Sequence, residues 1–277
     1  MAEQAMQVET ATSATGEAQL RRRWAVDDPR AAILVVHGIG EHSGRYAHVA
    51  QFFAQRGFDV EAFDNRGFGE SGGARGHIDS YSVFLDDIAE RLDARRTLGV
   101  PTVLFGHSLG GLMSAAYLVD DRPQPDLAVL SSPALSSEMP LWQKLGAPVL
   151  GRITPKLFVP SEIDGDLLSR DVEVQEAYRD DPLRVAGATA GLGFQTLQTM
   201  KTTAASLDRL TVPTYVFHGE EDRLVPIAAS QPFDGLAGVT YRSWPGLRHE
   251  CLNEPEQDQV MDEIAQWLDG RLADRTD

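Results

Sequence analysis

The stretch Gly106-His107-Ser108-Leu109-Gly110 decides the fold of this 277-residue chain. It follows the apolar run Pro101–Phe105 and precedes the small, apolar run Gly110–Val119. A strand, a sharp turn with a serine at its apex and a helix together form a nucleophile elbow. Glycines flank such a turn because a Cβ at either position would collide with the neighbouring strand or helix. The pattern therefore predicts that Ser108 is a nucleophile held in a strained turn.

Two later stretches supply an acid and a base. Thr214–Phe217 has the pattern of a buried strand, and Asp222 follows it closely. Val239–Trp244 has the pattern of the last strand, and His249 lies in the loop after it. The chain order serine, aspartate, histidine is the order that the α/β-hydrolase fold requires. Two neighbouring carboxylates are alternative candidates for the acid: Glu220 and Glu221.

These residue types suit the hydrolysis of an ester. A serine hydroxyl is a weak nucleophile, so His249 would take the proton of Ser108 and return it to the departing alcohol. Asp222 would bind the other imidazole nitrogen and stabilise the imidazolium. The backbone N–H of Leu109, at the start of a helix, would donate to the oxyanion. Three further histidines are expected to have structural roles: His37, His107 and His218.

The alternation of strands and helices predicts an α/β fold. From Ala31 onward, apolar strands alternate with amphipathic helices, as in a doubly wound, mostly parallel sheet. The predicted strands are Gln19–Val26, Ile33–Val36, Asp59–Phe63 and Asp126–Leu130, and the predicted helices are Tyr46–Arg56 and Ser80–Ala94. Between residues 136 and 210 the alternation stops. We interpret this block as a helical cap inserted over the carboxyl edge of the sheet, where active sites of such folds lie.

The composition divides the chain into four parts. The first sixteen residues are polar and low in large apolar side chains, which favours disorder. The predicted parts are a disordered tail (1–16), the first part of the α/β-hydrolase core (17–135), the cap (136–210) and the second part of the core (211–277).

The first element of the cap carries an apolar surface. Leu141, Leu145 and Val149 recur at helical spacing, and Leu150 and Ile153 widen the surface beyond what one face needs. Either these side chains pack the cap onto the core, or part of the surface is exposed and meets lipid aggregates.

The charge of the chain restricts its partners. A net charge of −16 argues against nucleic acid and disfavours electrostatic docking on anionic lipid. A neutral ester suits this charge better than a phospholipid does. We expect no metal and no cofactor, because the histidines show no metal-ligand spacing and an acyl-serine route needs neither.

Several features favour a cytoplasmic protein, with peripheral membrane contact through the cap as an option. No run approaches the ~18 apolar residues of a membrane helix, and the first residues lack the pattern of a secretory signal. The single cysteine, Cys251, excludes an internal disulfide and fits a reducing compartment. Since Cys251 lies two residues after His249, a bulky thiol reagent could block the site; a small buried thiol is the alternative.

Three segments resemble the monoacylglycerol lipases: Ile33–Tyr46 (ILVVHGIGEHSGRY), the elbow extended by Gly111, and Gly246–Glu250 (GLRHE). The segment Ser169–Leu183 is similar to the bacterial members in particular. The resemblance spans residues 19–272 and implies an α/β-hydrolase fold. It also implies hydrolysis of monoacylglycerols to glycerol and a free fatty acid through an acyl-serine intermediate.

The resemblance also implies roles for residues of the first segment. The N–H of Ile39 would be the second donor to the oxyanion, beside that of Leu109. Glu41 and Arg45 would shape the polar, substrate-binding end of the pocket; the alternative is a salt bridge that only stiffens this loop. The competing functions are a lysophospholipase, a broad-specificity carboxylesterase and, from another class, a non-catalytic ligand-binding homologue.

Overall fold

A computed structural model describes residues 5–136 and 150–274, and its centre is an eight-stranded sheet. The strands are β1 (Met6–Thr12), β2 (Ala18–Trp24), β3 (Ala31–Val36), β4 (Phe58–Phe63), β5 (Thr102–His107), β6 (Leu127–Ser131), β7 (Phe158–Pro160), β8 (Gly187–Thr189), β9 (Thr214–Gly219) and β10 (Val239–Trp244). The spatial order in the central sheet is β1-β2-β4-β3-β5-β6-β9-β10. β2 pairs antiparallel with both of its neighbours, and all pairs from β4 to β10 are parallel.

Helices cover both faces of this sheet. The α-helices are α1 (Ala47–Ala54), α2 (Ser82–Arg96), α3 (Leu109–Leu118), α4 (Gly165–Leu168), α5 (Val172–Asp180), α6 (Ala190–Ala204) and α7 (Gln257–Ala273). Short 3-10 helices lie at Ser43–Tyr46, Leu207–Arg209, Ile227–Ala229, Gln231–Phe233 and Cys251–Asn253. α1 and α7 pack on one face, while α2 and α3 pack on the other.

Both faces of the parallel strands are therefore buried, and each contributes to its own hydrophobic core. In β3, Ile33 and Val35 contact the side of α1 and α7, while Leu34 and Val36 contact the side of α2 and α3. Strands buried on two sides appear in the sequence as continuous apolar runs, which is why they could be predicted. The predicted α/β-hydrolase fold is confirmed. For each strand and helix whose first and last residues were predicted, the observed first and last residues lie within two positions of the predicted ones.

The disorder predicted for the N-terminal tail is wrong for residues 6–12. These residues form β1, which pairs along its whole length with β2, from Met6 opposite Trp24 to Thr12 opposite Ala18. A tight turn joins the two strands, and Gly16 adopts a φ of +88° there. The side chains of β1 are nearly all exposed, so backbone hydrogen bonds rather than apolar burial hold this edge strand. Composition alone therefore did not reveal it.

The cap is not wholly helical. Its described residues contain α4, α5 and α6, together with a two-stranded antiparallel sheet formed by β7 and β8. All three residues of β7 are exposed, so this strand shows none of the buried alternation that would predict it. The predicted first element with Leu141, Leu145 and Val149 lies outside the described residues.

Candidate active site

Ser108 occupies the turn between β5 and α3. Its backbone has a φ of +54° and a ψ of −116°, and a positive φ is uncommon for any residue but glycine. Backbone hydrogen bonds fix the turn: Ser108 N donates to Ser131 O at 2.9 Å, and Ala134 N donates to Ser108 O at 3.1 Å. The strained conformation is thus imposed by the two strands and the helix around it.

Glycines permit this turn to lie close to its neighbours. A Cβ on Gly106 would overlap Ser114 Oγ and the carbonyl of Gly110. A Cβ on Gly110 would overlap the carbonyl of Val36 at the end of β3. Alanine at either position would push the elbow away from the sheet, so the glycine spacing is a steric requirement of the turn.

Asp222 and His249 meet at the carboxyl edge of the sheet. Asp222 Oδ2 accepts a hydrogen bond from His249 Nδ1 at 2.6 Å, while Oδ1 accepts from the N–H groups of Leu224 and Val225 at 2.8 and 2.9 Å. Burial raises the pKa of the Asp222 carboxyl, but the charge and hydrogen bonds of the neighbouring imidazoles hold it well below its usual range. The acid is therefore ionised at neutral pH.

A second imidazole fixes the acid from its other side. His218 Nε2 donates to Asp222 Oδ2 at 2.9 Å and approaches Val225 O at 2.9 Å, while Nδ1 lies 2.8 Å from Ser230 Oγ. Both partners of Nε2 are acceptors, so the hydrogen of this ring sits on Nε2. His218 thereby orders the loop that carries Asp222.

His249 is almost completely buried, with 2% of its surface exposed. Its carbonyl accepts a hydrogen bond from Ser132 Oγ at 2.9 Å. Burial lowers the pKa of His249, but the charge and hydrogen bond of Asp222 outweigh it and raise the pKa overall. Because Nδ1 is occupied by Asp222, Nε2 is the nitrogen left to accept a proton.

His107 is a neutral neighbour of this histidine. The two rings lie 4.8 Å apart between centroids, and His107 Nδ1 is 3.0 Å from Ser131 Oγ. Burial, followed by the charge of His249, lowers the pKa of His107 to about 4. At neutral pH this ring carries no positive charge beside the candidate base.

The loop after β3 approaches Ser108 directly. A Cβ on Gly38 would lie 3.2 Å from Ser108 Cβ, so the backbone itself borders the serine here. His37 holds this loop: Asn65 N donates to His37 Nε2 at 2.8 Å, which leaves the hydrogen on Nδ1 to donate to Gly38 O at 2.7 Å. The plane of the peptide that joins Gly38 to Ile39 is thereby fixed.

A buried ionic cluster joins this loop to the loop of His249. Glu41 accepts from Gly38 N at 2.5 Å and from Arg45 at 2.9 Å. Arg45 also binds both carboxylate oxygens of Glu250, at 2.6 and 2.7 Å. Burial alone raises the pKa of Glu250, but Arg45 reverses this and brings it to about 2. The guanidinium thus links the segment around Ile39 to the residue after His249.

These groups line one small cavity. Its walls combine the ends of β3 and β5 with the cap: Gly38, Ile39, Glu41, Arg45, His107, Ser108, Ile163, Leu168, Tyr178, Leu224, His249 and Glu250. Ser108 and His249 border it from opposite loops, and Arg45 faces the ring of Tyr178 at 5.0 Å. Leu109 is the first residue of α3, directly after the serine.

The structure thus places Ser108 and His249 at one cavity and bonds His249 to Asp222. The rival acids do not join them, because Glu220 and Glu221 are exposed and Glu220 accepts instead from Ser243 Oγ at 2.7 Å. Sequence reasoning missed Glu250, although its place directly after His249 was a signal. It also missed Ser132, the residue directly after β6, which has a φ of +42°. No sequence pattern around Ser132 marks this role.

Comparisons with known proteins identify the family and the fold. The family described as serine aminopeptidase, S33, matches residues 27–256. A monoacylglycerol lipase of Mycolicibacterium smegmatis is 38% identical over 265 residues, which cover 90% of this chain and 92% of that protein. Phospholipase YtpA of Bacillus subtilis is 33% identical over 244 residues, covering 86% and 94%. The solved structure of the Paleococcus ferrophilus monoacylglycerol lipase has a TM-score of 0.83 at 32% identity, covering 91% and 98%.

Proposed function

The chain belongs to the serine aminopeptidase S33 family and is a serine hydrolase of carboxylic esters, and we propose that its substrate is a monoacylglycerol. The observation that carries the choice of substrate is the charge around the cavity at Ser108. Two carboxylates, Glu41 and Glu250, share the single guanidinium of Arg45 there. Such a site favours a neutral alcohol headgroup, and the products are glycerol and a free fatty acid.

In the proposed mechanism, Ser108 Oγ attacks the ester carbonyl while His249 Nε2 takes its proton. Asp222 keeps the hydrogen of the imidazole on Nδ1 and stabilises the imidazolium that forms. The imidazolium then returns the proton to the departing glycerol oxygen, which leaves an acyl-serine. A water molecule, deprotonated by the same nitrogen, releases the fatty acid and restores the serine.

Two backbone N–H groups stabilise the oxyanion in this proposal. Leu109 is the first residue of α3, so its N–H has no acceptor within the helix. The second donor is Ile39 N–H, whose peptide plane is fixed through the bond from His37 to Gly38 O. Donors that are fixed before the reaction stabilise the developing charge without reorganisation, and this effect usually lowers the barrier more than any other single one.

Glu41 and Arg45 form the polar end of the pocket in this proposal, and Glu250 completes it. Each carboxylate has roughly four acceptor positions and accepts three hydrogen bonds, so one position remains for a glycerol hydroxyl. A lysophospholipid phosphate would instead compete with both carboxylates for one guanidinium. The phospholipase among the relatives makes this the alternative to test.

The test compares esters that share one long acyl chain: a monoacylglycerol, a diacylglycerol, a triacylglycerol and a lysophospholipid, with a short-chain ester alongside. We expect the monoacylglycerol to be cleaved fastest, with glycerol released in step with fatty acid. Ser108→Ala should abolish this turnover. Ser114→Ala, which removes a hydroxyl fully buried on α3, is the matched control and should retain activity.

Other outcomes would revise the proposal at different levels. Equal rates on the monoacylglycerol and the lysophospholipid would remove the specificity and leave a lysophospholipase or a broad carboxylesterase. Activity confined to the short ester would also leave a carboxylesterase. Turnover that persists in Ser108→Ala would contradict the mechanism itself, and absence of any turnover in the wild type would favour a ligand-binding role.

We also propose that the cap rests on lipid aggregates. Its residues 150–159 expose five large apolar side chains: Leu150, Ile153, Leu157, Phe158 and Val159. Several large apolar side chains exposed within one short segment are typical of a surface that meets another apolar phase. Within the part of the chain that the structure describes, no helix is long and apolar enough to cross a membrane. Peripheral contact from the cytoplasmic side is consistent with the single, buried Cys251.

Binding to phosphatidylcholine vesicles tests this contact. Ile153, with 73% of its surface exposed, is replaced by serine. We expect weaker vesicle binding by Ile153→Ser and unchanged hydrolysis of a short, soluble ester. Val172→Ser is the matched control, since Val172 is exposed on α5, elsewhere in the cap. Equal vesicle binding by both variants and the wild type would refute the contact.

A further inference from the structure

A fully buried carboxylate lies between the cap and the loop that carries His249. Glu254 is 0% exposed, and its two oxygens receive hydrogen bonds from both sides. Oε1 accepts from the backbone N–H of Arg248 at 2.7 Å. Oε2 accepts from the backbone N and the Nε of Arg170, in the cap, at 3.0 and 3.1 Å. The residue directly before His249 is therefore bonded to the cap through Glu254.

The residue directly after His249 is bonded to the cap as well. Glu250 N donates to Leu168 O, in α4, at 2.8 Å. The guanidinium of Arg248 donates to Ser169 O at 3.1 Å and to the carbonyl of Asp166 at 2.7 Å. Ser169 Oγ donates in turn to Asn253 O at 2.8 Å. Segment 166–170 of the cap and loop 248–254 thus form one polar, largely buried unit.

Segment 166–170 differs from residues 150–159 of the cap in how much of it is buried. Residues 150–159 expose their large apolar side chains to solvent. In contrast, Ser169 is 0% exposed and lies against the loop of the catalytic histidine. A buried carboxylate is stable only when its hydrogen bonds are kept, and departure of the segment would leave Glu254 Oε2 without the partners that Ser169 and Arg170 supply.

We propose that Arg170 and Glu254 are positioning residues that hold His249 in line with Asp222 and Ser108. The segment around Arg170 would then remain in place when substrate passes the cap. The inference rests on the proposed catalytic role of His249 but not on the choice of a monoacylglycerol as substrate. It gives a role to Ser169 and Arg170, neither of which lines the cavity at Ser108.

The charged groups around His249 determine how a displacement of this histidine would change its pKa. The titratable and charged side chains that face it are Asp222, His107, Glu41, Arg45 and Glu250. Asp222 is the one that bonds the imidazole, and it raises the pKa of His249. A looser contact with Asp222 would therefore lower that pKa, because burial acts in the same direction. Because the base must be unprotonated, the acid limb of kcat/KM would move to lower pH.

Arg170→Gln is the main test, since the side chain of Arg170 is one third exposed and its loss should be tolerated. Arg209→Gln is the matched control: Arg209 also joins the cap to the core, through an exposed ion pair with Asp121 at 2.6 Å. Both are measured on a short-chain soluble ester, with kcat, KM, the pH profile of kcat/KM and Tm for each. Ser108→Ala in the same series tests the proposed mechanism separately.

For Arg170→Gln we expect kcat to fall roughly 10- to 100-fold with little change in KM, since small misplacement of a catalytic group has effects of this order. The acid limb should move to lower pH, and the downfield proton resonance between His249 and Asp222 should weaken. Arg170→Lys should recover part of kcat, and Arg209→Gln should leave kcat and the acid limb unchanged.

A purely structural role predicts a different pattern. In that case Arg170→Gln lowers Tm while kcat per titrated active site and the acid limb stay at their wild-type values. That result would overturn the proposal, as would an equal loss of kcat in Arg209→Gln. Ser169→Ala, which removes the bond to Asn253 O, the bond accepted from Asp171 N and a weak contact with Glu254, gives a milder second variant. We expect the same shift of the acid limb in it, to a smaller extent.

Discussion

The parallel sheet and the cap contribute to this enzyme in different ways. Ser108, Asp222 and His249 lie at the ends of sheet strands and are each less than a tenth exposed. The cap exposes large side chains such as Ile153 and Leu157. Buried groups have their geometry imposed by many neighbours, whereas exposed ones are free to meet a ligand or a surface. The difference supports the proposals that the residues at the sheet carry out the chemistry and that the exposed part of the cap meets lipid.

The largest expected effect tests the chemical side of this contrast. Asp222→Asn should lower kcat roughly a thousandfold to ten-thousandfold, because an amide cannot hold the required tautomer of His249. The fold should survive, since the amide keeps the size of the carboxylate. Steady-state kinetics on a short ester and thermal unfolding measure the two quantities.

Glu220→Gln is the control for this change. Glu220 lies two residues earlier, is exposed and bonds Ser243 rather than the histidine. We expect wild-type kcat in this variant. A large loss in Glu220→Gln together with near-normal turnover in Asp222→Asn would mean that the acid has been assigned to the wrong residue.

The next effect concerns stability and compares a glycine of α3 that packs against the sheet with a glycine of the cap. Gly110→Ala should destabilise the protein by about 3 kcal/mol or more, because its Cβ would overlap the carbonyl of Val36. Gly193→Ala lies inside α6 with no atom within 4 Å of the new Cβ, so we expect a gain of about 0.5–1 kcal/mol. Denaturant unfolding measures both. Similar small effects at both sites would contradict the close approach at the elbow.

Much of the sheet could be predicted because its strands are buried on both faces and its elbow requires glycine at two positions. Ile33–Val36 had to be apolar on both faces, and the elbow needed glycine on either side of Ser108. Those demands leave a pattern in the chain. The order of Ser108, Asp222 and His249 is the one that the α/β-hydrolase fold requires, so it helped to predict the fold. Asp222 was predicted as the acid because it closely follows a strand, with Glu220 and Glu221 as alternatives.

The remainder could not be predicted because it depends on contacts between distant segments. Glu254 has the sequence surroundings of a solvated glutamate, yet it is fully buried against Arg170, 84 residues away along the chain. β1 is held by backbone bonds that carry no side-chain signature. Most glutamates are exposed, so the sequence around Glu254 does not reveal that this one is buried. Polar residues such as those of β1 likewise do not reveal whether their backbone is paired.

A smaller effect, the pH dependence of stability that arises from His107, tests whether the site is buried. His107 has a pKa of about 4 in the fold, against about 6.5 in an unfolded chain. Between these pH values the unfolded state binds a proton that the folded state does not, so this group destabilises the fold as pH falls from about 6.5 toward 4. The effect is on the order of 3 kcal/mol at the lower end.

Denaturant unfolding of the wild type and His107→Gln across this pH range isolates the contribution. We expect the stability of the variant to decline less steeply, because glutamine has no proton to gain. His249, whose pKa is raised, acts in the opposite direction in both proteins, so the difference contains only the titration of His107 and its interaction with the charge of His249. Parallel curves for the two proteins would show that His107 is hydrated in solution.

The smallest expected effect is at Cys251. Its thiol tests whether the loop after His249 is as closed as the buried residues of the sheet. Cys251 is 0% exposed, and burial raises the pKa of its thiol, so it is both inaccessible and protonated at neutral pH. A bulky maleimide should therefore leave the native enzyme fully active and unlabelled. The same reagent should label the protein once it is unfolded in denaturant, which shows that the thiol is intact. Inactivation of the native enzyme, absent in Cys251→Ser, would mean that the loop after His249 opens far more than its bonds to the cap allow.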